Sequence, residues 1–232
     1  MDPDVRLNWE ALCKASPLSE ALKQHFDVLC DGDSCRALLD EIATKAQSAG
    51  IADGVVPLGD GQVALEILFP SPYDPKEKRR LLCLAPKSGT AAPGLSASAR
   101  RIFPIHHQIG VADESQWIMG FHGFMDDGSL ANNPWFDPKL LLDPANAEIL
   151  AQARAAGGEI RVPMFFDTSD WVMLHPTEKS TAGEPALCYV SHESGEVEPL
   201  TSRWSLGATL LRLIGSRLLG RHYTEMFKDP PP

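Results

Sequence analysis

Between Glu159 and Leu200, four short apolar runs follow one another with only turns between them. EIRVPMFFDTSDWVMLHP reads as strand, turn, strand, and Asp167-Thr168-Ser169-Asp170 is its acidic, hydroxyl-bearing corner. PALCYVSHESGEVEPL repeats the pattern, with HESGEV as the turn. A chain that lays down strand after strand before reaching a helix builds an antiparallel sheet. The expected class is therefore α+β, a mainly antiparallel sheet with flanking helices. The helix that follows, SLGATLLRLIGSRLL, is expected to be amphipathic. Its face is Leu206, Leu210, Leu213 and Ile214, behind a capping Ser205.

Upstream, LNWEALCKA and PLSEALKQHFDVLC carry apolar residues at helical spacing (Leu18, Leu22, Phe26, Leu29), so residues 7–49 are expected to be helical. Asp31-Gly32-Asp33 breaks that run. Ser34 is expected to cap CRALLDEIATKAQSAG, a helix ending at Gly50. QVALEILFP (Gln62–Pro70) and RRLLCLAP (Arg79–Pro86) read as strands joined by the charged SPYDPKEK. SGTAAPGLSAS, Ser88 to Ser98, reads as a boundary or surface loop, and a short helix starts near Ser96. WIMGFHGFMDDG (Trp117–Gly128) is an aromatic strand ending in a turn, and PANAEILAQARAAGG is an alanine-rich helix.

Charge is distributed unevenly. The chain carries −10 overall, yet Ile105 to Leu200 holds fifteen acidic against four basic residues. Nucleic acid demands Lys and Arg, so this field excludes it as a direct partner. It suits a cationic protein, whose encounter and orientation it would steer. No window approaches the roughly 20 apolar residues of a membrane span, and the N-terminus shows no signal-peptide pattern. The five cysteines (Cys13, Cys30, Cys35, Cys83, Cys188) form no CxxC pair or disulfide framework. They read as small buried hydrophobes in a reducing compartment, so a cytoplasmic location is expected.

Signals for catalysis are weak. His106, His107, His122, Asp126, Asp127 and Asp167 form the most metal-like set. Adjacent histidines diverge on either a helix or a strand, however, and do not easily serve one ion. Asp31-Gly32-Asp33-Ser34 opens like a calcium loop, but Ile42 stands where the bidentate glutamate belongs. Nucleophile-elbow, phosphate-loop and dinucleotide motifs are missing. Neither catalytic residues, metal nor cofactor are therefore expected. The alternative is a metal-assisted hydrolase built on His106, His122 and Asp127. Trp117, Trp171 and Trp204 read as packing residues, whereas Trp135, in NNPWFDP, is the most exposable tryptophan.

APGLSASARRIF, WIMGFHGFMDDG, RVPMFFDTSDWVMLHP, GEPALCYVSHESGEVEPL and SRWSLGATLLRLIG, in that order over residues 93–220, resemble the SUKH superfamily. That family contains bacterial toxin-immunity proteins and fungal cell-wall regulators. The matching elements are Val162 to Leu174, Pro185 to Val190 and Leu200 to Ile214. The resemblance implies a SUKH-like α+β domain over 91–225; the tail over 226–232, with its terminal KDPPP, is expected to fray. Residues 1–90 would be a helical and β extension or an integrated subdomain. It also implies a non-catalytic protein that neutralises a cognate toxin, often a nuclease delivered by type VI or contact-dependent secretion. A non-toxin regulatory scaffold of the same fold is the other reading. The expected interface charges are Asp113, Glu114, Asp126, Asp127, Asp167, Asp170, Glu193 and Glu196, with Trp135 as an apolar anchor.

Overall fold

The computed structural model describes residues 1–54, 57–59, 61–132, 139, 141, 144–156, 160–166, 170–181, 183–200 and 204–227. Among them, nine strands form one antiparallel sheet in which each strand pairs only with its neighbours in sequence. These are β1 (Ser48–Asp53), β2 (Val63–Pro70), β3 (Lys78–Leu84), β4 (Ile109–Ala112), β5 (Trp117–Phe121), β6 (Met164–Phe166), β7 (Asp170–Lys179), β8 (Pro185–Val190) and β9 (Val197–Leu200). The helices are α1 (Pro3–Cys13), α2 (Leu18–Phe26), α3 (Asp33–Lys45), α4 (Ala97–Ile102), α5 (Ala147–Ala155), α6 (Leu206–Leu219) and α7 (Tyr223–Met226). This is an α+β fold. Because every neighbour is antiparallel, successive connections fall alternately at the two ends of the sheet.

Alternation along each strand divides the side chains between two faces. Leu65, Ile67 and Phe69 of β2 point to the main core, with Leu81 and Cys83 of β3, Ile109 and Val111 of β4, and Met119 and Phe121 of β5. The helices on this side add Trp9, Leu22, Phe26, Leu39, Ile42, Leu210, Leu213 and Ile214. The opposite face holds Phe165, Trp171, Met173, Cys188 and Val190, with Ile149 and Leu150 of α5 packed on them. Gly110 and Gly120 face each other across β4 and β5. A Cβ on Gly110 would stand 2.8 Å from the Trp117 ring, and one on Gly120 would stand 3.0 Å from that of Phe165. Glycine here makes room for two flat aromatic lids.

Helix α6 departs from the amphipathic expectation. Twelve of its fourteen residues are buried, including Thr209, Arg212 and Ser216. Sandwiched between the sheet and α3, it has almost no solvent face, and its polar residues are absorbed locally. Ser216 Oγ donates to Leu213 O, and the Arg212 guanidinium lies 3.4 Å from the Trp204 ring centroid. Its amino end is held by three acceptors. Ser205 Oγ takes the Ala208 N–H at 3.2 Å, Glu184 Oε2 takes that of Leu206 at 3.1 Å, and Asp31 Oδ2 takes that of Ser205 at 3.1 Å.

Glu184 performs this service twice. Its carboxylate also accepts the Ser98 N–H and hydroxyl, both at 2.6 Å, at the start of α4, and the residue is 6% exposed. One buried carboxylate thus joins the β7–β8 connection to two helix amino termini. The positive ends of both helix dipoles compensate its charge.

Three local expectations are corrected. The third helix ends at Lys45, not Gly50, because Ala46 adopts extended backbone and Ser48–Asp53 pairs with β2. Ser34 is not the cap: α3 starts at Asp33, and Ser34 Oγ instead receives a long 3.4 Å contact from Arg212. The aromatic strand stops at Phe121, because Gly123 turns the chain at φ +86° against the His107 carbonyl.

Candidate binding surface

Three of the connections on one end of the sheet are β2–β3, β4–β5 and β8–β9, and strand β7 begins there. This end collects Asp113, Glu114, Asp170, Glu193 and Glu196. The β4–β5 and β8–β9 turns are four strand spacings apart, about 19 Å. Asp126 and Asp127 follow β5 and so lie at the opposite end, beside the loop that carries Lys87. The expected interface therefore separates into two groups that share no end of the sheet. Asp167 and Trp135 lie outside the described residues.

The charges at the first end have different tasks. Asp113 Oδ1 accepts the N–H groups of Ser115 and Gln116, both at 2.8 Å, and the Ser115 hydroxyl at 3.0 Å. Partial burial pushes its carboxyl up, but these bonds outweigh it and leave the pKa below the ordinary value. Glu114 beside it is exposed to solvent. Asp170 is a brace. Its side chain is 14% exposed, accepts the Tyr189 hydroxyl, and takes the N–H and Nδ1 of His192 at 2.9 and 2.8 Å. Desolvation raises its pKa, yet these donors hold it below the usual carboxylate range. By gripping His192, Asp170 sets the turn that presents Glu193 and Glu196, both exposed.

Two residues at this end escaped the sequence reading. Glu198 is exposed on edge strand β9 and adds a charge next to the turn. Tyr73, in the β2–β3 connection, is 62% exposed, with the Arg79 guanidinium 6.0 Å from its ring centroid. A tyrosine left open on a charged surface is the side-chain type that anchors protein interfaces. Its only sequence signal was a place in a proline-bearing turn.

At the other end, Asp126 pairs with Lys87 at 2.7 Å, which lowers its pKa. Asp127 is likewise lowered, by the hydroxyl and N–H of Ser129 at 2.6 and 2.9 Å.

His106 and His122 occupy separate places in the fold. His106 is wholly buried and shares a 2.9 Å Nε2–Nε2 hydrogen bond with His25, inside a cage of Trp9 and Phe26 rings. Burial, then the neighbouring His25, keeps its pKa well below the ordinary value. His122 lies against Phe165, with ring centroids 5.1 Å apart, and burial lowers it to about 4. Asp127 belongs to an exposed turn. Among the described residues, no three His, Cys, Asp or Glu side chains converge as ion ligands, so the structure does not assemble His106, His122 and Asp127 into a centre.

The cysteines are all free, and four are buried. Cys30 and Cys35 adjoin each other beneath α6. Cys35 is held below the usual thiol range by the Cys30 hydrogen bond and, less strongly, by the charge of Arg212, although burial opposes both. No helix among the described residues is long and apolar enough to cross a membrane. Comparison with models of known families, with curated proteins and with solved structures finds no match to this chain.

Proposed function

We propose that this chain is a binding protein whose acidic sheet end captures a cationic protein partner, and that it acts as an immunity protein of SUKH type. The partner would be a cognate antibacterial toxin, a basic nuclease delivered by type VI or contact-dependent secretion. The observation that carries the reading is the placement of Glu114, Glu193, Glu196 and Glu198 at one end, exposed, with Asp113 and Asp170 bracing the turns beneath them. A nuclease must present Lys and Arg to hold phosphates, so an acidic surface competes for the same cations. At physiological salt the screening length is about 8 Å. The two turns, about 19 Å apart, therefore act as separate patches that together fix orientation. Tyr73, two strand spacings beyond the β4–β5 turn, supplies an apolar contact at the margin of this surface.

The test is affinity capture with the intact chain from the producing strain, followed by mass spectrometry. The reading expects a basic protein whose toxic activity falls when this chain is added. Capture of acidic partners only, or of a basic protein whose activity is unchanged, contradicts it.

A further inference from the structure

Between α5 and the last three strands lies a cavity of about 230 Å³, remote from the rings of the main core. Ligand sites for drug-sized molecules occupy about 300–1,000 Å³. This one suits a single long side chain or a small amine. Its lining includes Ile149, Val197 and Cys188 and the exposed Glu148 and Glu178.

Most of the hydrogen-bonding capacity left open in it is acceptor capacity. Asn146 is 4% exposed and lines the cavity; its Nδ2 donates to Gly195 O at 2.7 Å, and its carboxamide oxygen has no partner. Gln152 is already committed, with Nε2 on Glu148 at 3.3 Å and Oε1 accepting from Thr177 Oγ1 at 2.8 Å. His175 Nδ1 accepts the N–H groups of Thr177 and Glu178 at 3.3 and 3.0 Å, which leaves the ring proton on Nε2, 3.7 Å from Glu178 Oε1. No Lys or Arg is found among the described lining residues. An amide oxygen open to the cavity and two carboxylates with no Lys or Arg among the described lining residues suit a donor-rich cation, and the apolar walls suit an aliphatic stem.

We infer that this cavity is a receptor for one arginine side chain of the partner. The planar guanidinium offers donors to Glu148, Glu178 and Asn146 at once, and its methylenes lie along Ile149 and Val197. Val197 follows Glu196 directly, so the cavity adjoins the acidic turn and one partner surface reaches both. The inference rests on the reading that the partner is cationic.

Agmatine, which is arginine without its carboxylate and so carries the guanidinium on an aliphatic chain ending in an ammonium, is the probe. Amide NMR titration of the intact protein at 0.15 M salt is expected to give saturable shifts centred on Ile149, Gln152, Cys188 and Val197. Glu148→Gln with Glu178→Gln should weaken binding at least tenfold, whereas Asp126→Asn with Asp127→Asn, at the other end of the sheet, should leave it unchanged. Absence of saturable shifts in the wild-type protein overturns the inference, as does equal binding by the Glu148/Glu178 variant. The two readings fail separately. Agmatine binding without capture of any basic protein sinks the toxin reading and leaves the receptor. Capture without agmatine binding does the reverse.

Discussion

Mild acid should destabilise this protein through its buried imidazoles, and His25 gives the effect a size. Its pKa falls from an ordinary 6.5 to about 4 because desolvation disfavours the charged ring. The unfolded chain therefore binds a proton near pH 6.5 that the folded chain refuses until about pH 4. Stability is full above that window and drains away as pH falls through it. For His25 alone, lowering the pH from 7.5 to 5.5 removes about 1.4 kcal/mol. His106, held lower still, and His107 and His122, each pushed to about 4 chiefly by burial, add in the same direction. The assay is urea unfolding followed by tryptophan fluorescence at the two pH values, in wild type and His25→Gln. Glutamine keeps a hydrogen-bonding partner for His106 but does not titrate. The variant should show a pH-dependent loss smaller by about 1.4 kcal/mol. An unchanged pH dependence in His25→Gln, or a wild type equally stable at both values, refutes the reasoning.

Other outcomes follow from single contacts. Glu184→Ala strips the acceptor from the Ser98 and Leu206 N–H groups in a buried place. Urea unfolding should register a loss of about 2–4 kcal/mol, and Glu184→Gln a smaller one. A loss under about 0.5 kcal/mol for the alanine variant would show that water replaces the carboxylate. Gly123→Ala places a Cβ 1.7 Å from the His107 carbonyl at a φ of +86°, so its thermal midpoint should fall by more than that of any alanine substitution in the exposed 113–116 turn. Thiol titration of the native protein should find Cys13 fastest. Cys188, pushed up to about 12 chiefly by burial, should react only on unfolding.

The residues explain which parts of the fold could be read from sequence. β2, β3, β7 and β8 declare themselves through bulky apolar runs; α4 begins near the expected Ser96, and α6 at the expected Ser205 cap. β1 was hidden because Ser48-Ala49-Gly50-Ile51-Ala52 has little side-chain pattern; pairing with β2 makes it a strand. β4 was hidden because Ile109-Gly110-Val111-Ala112 is short and needs Gly110 to admit the Trp117 ring. The full burial of α6 could not be seen, since a helix shows its own periodicity and not what covers each side. The acidic bias was legible as a count. Its division between two ends depended on strand order, and the bracing role of Asp170 on His192, twenty-two residues away. Glu184 looked like one more surface acid until the fold brought two helix amino termini to it.

The central claim is that the sheet end bearing Glu114, Glu193 and Glu196 meets a cationic partner. Affinity capture with three forms of the intact chain tests it: wild type, Glu114→Lys/Glu193→Lys/Glu196→Lys, and Asp126→Lys/Asp127→Lys. The account predicts that the wild type and the Asp126/Asp127 variant retain the same basic protein at 0.15 M salt, and that the triple variant loses it. Equal capture by the triple variant, or loss only in the Asp126/Asp127 variant, would contradict it.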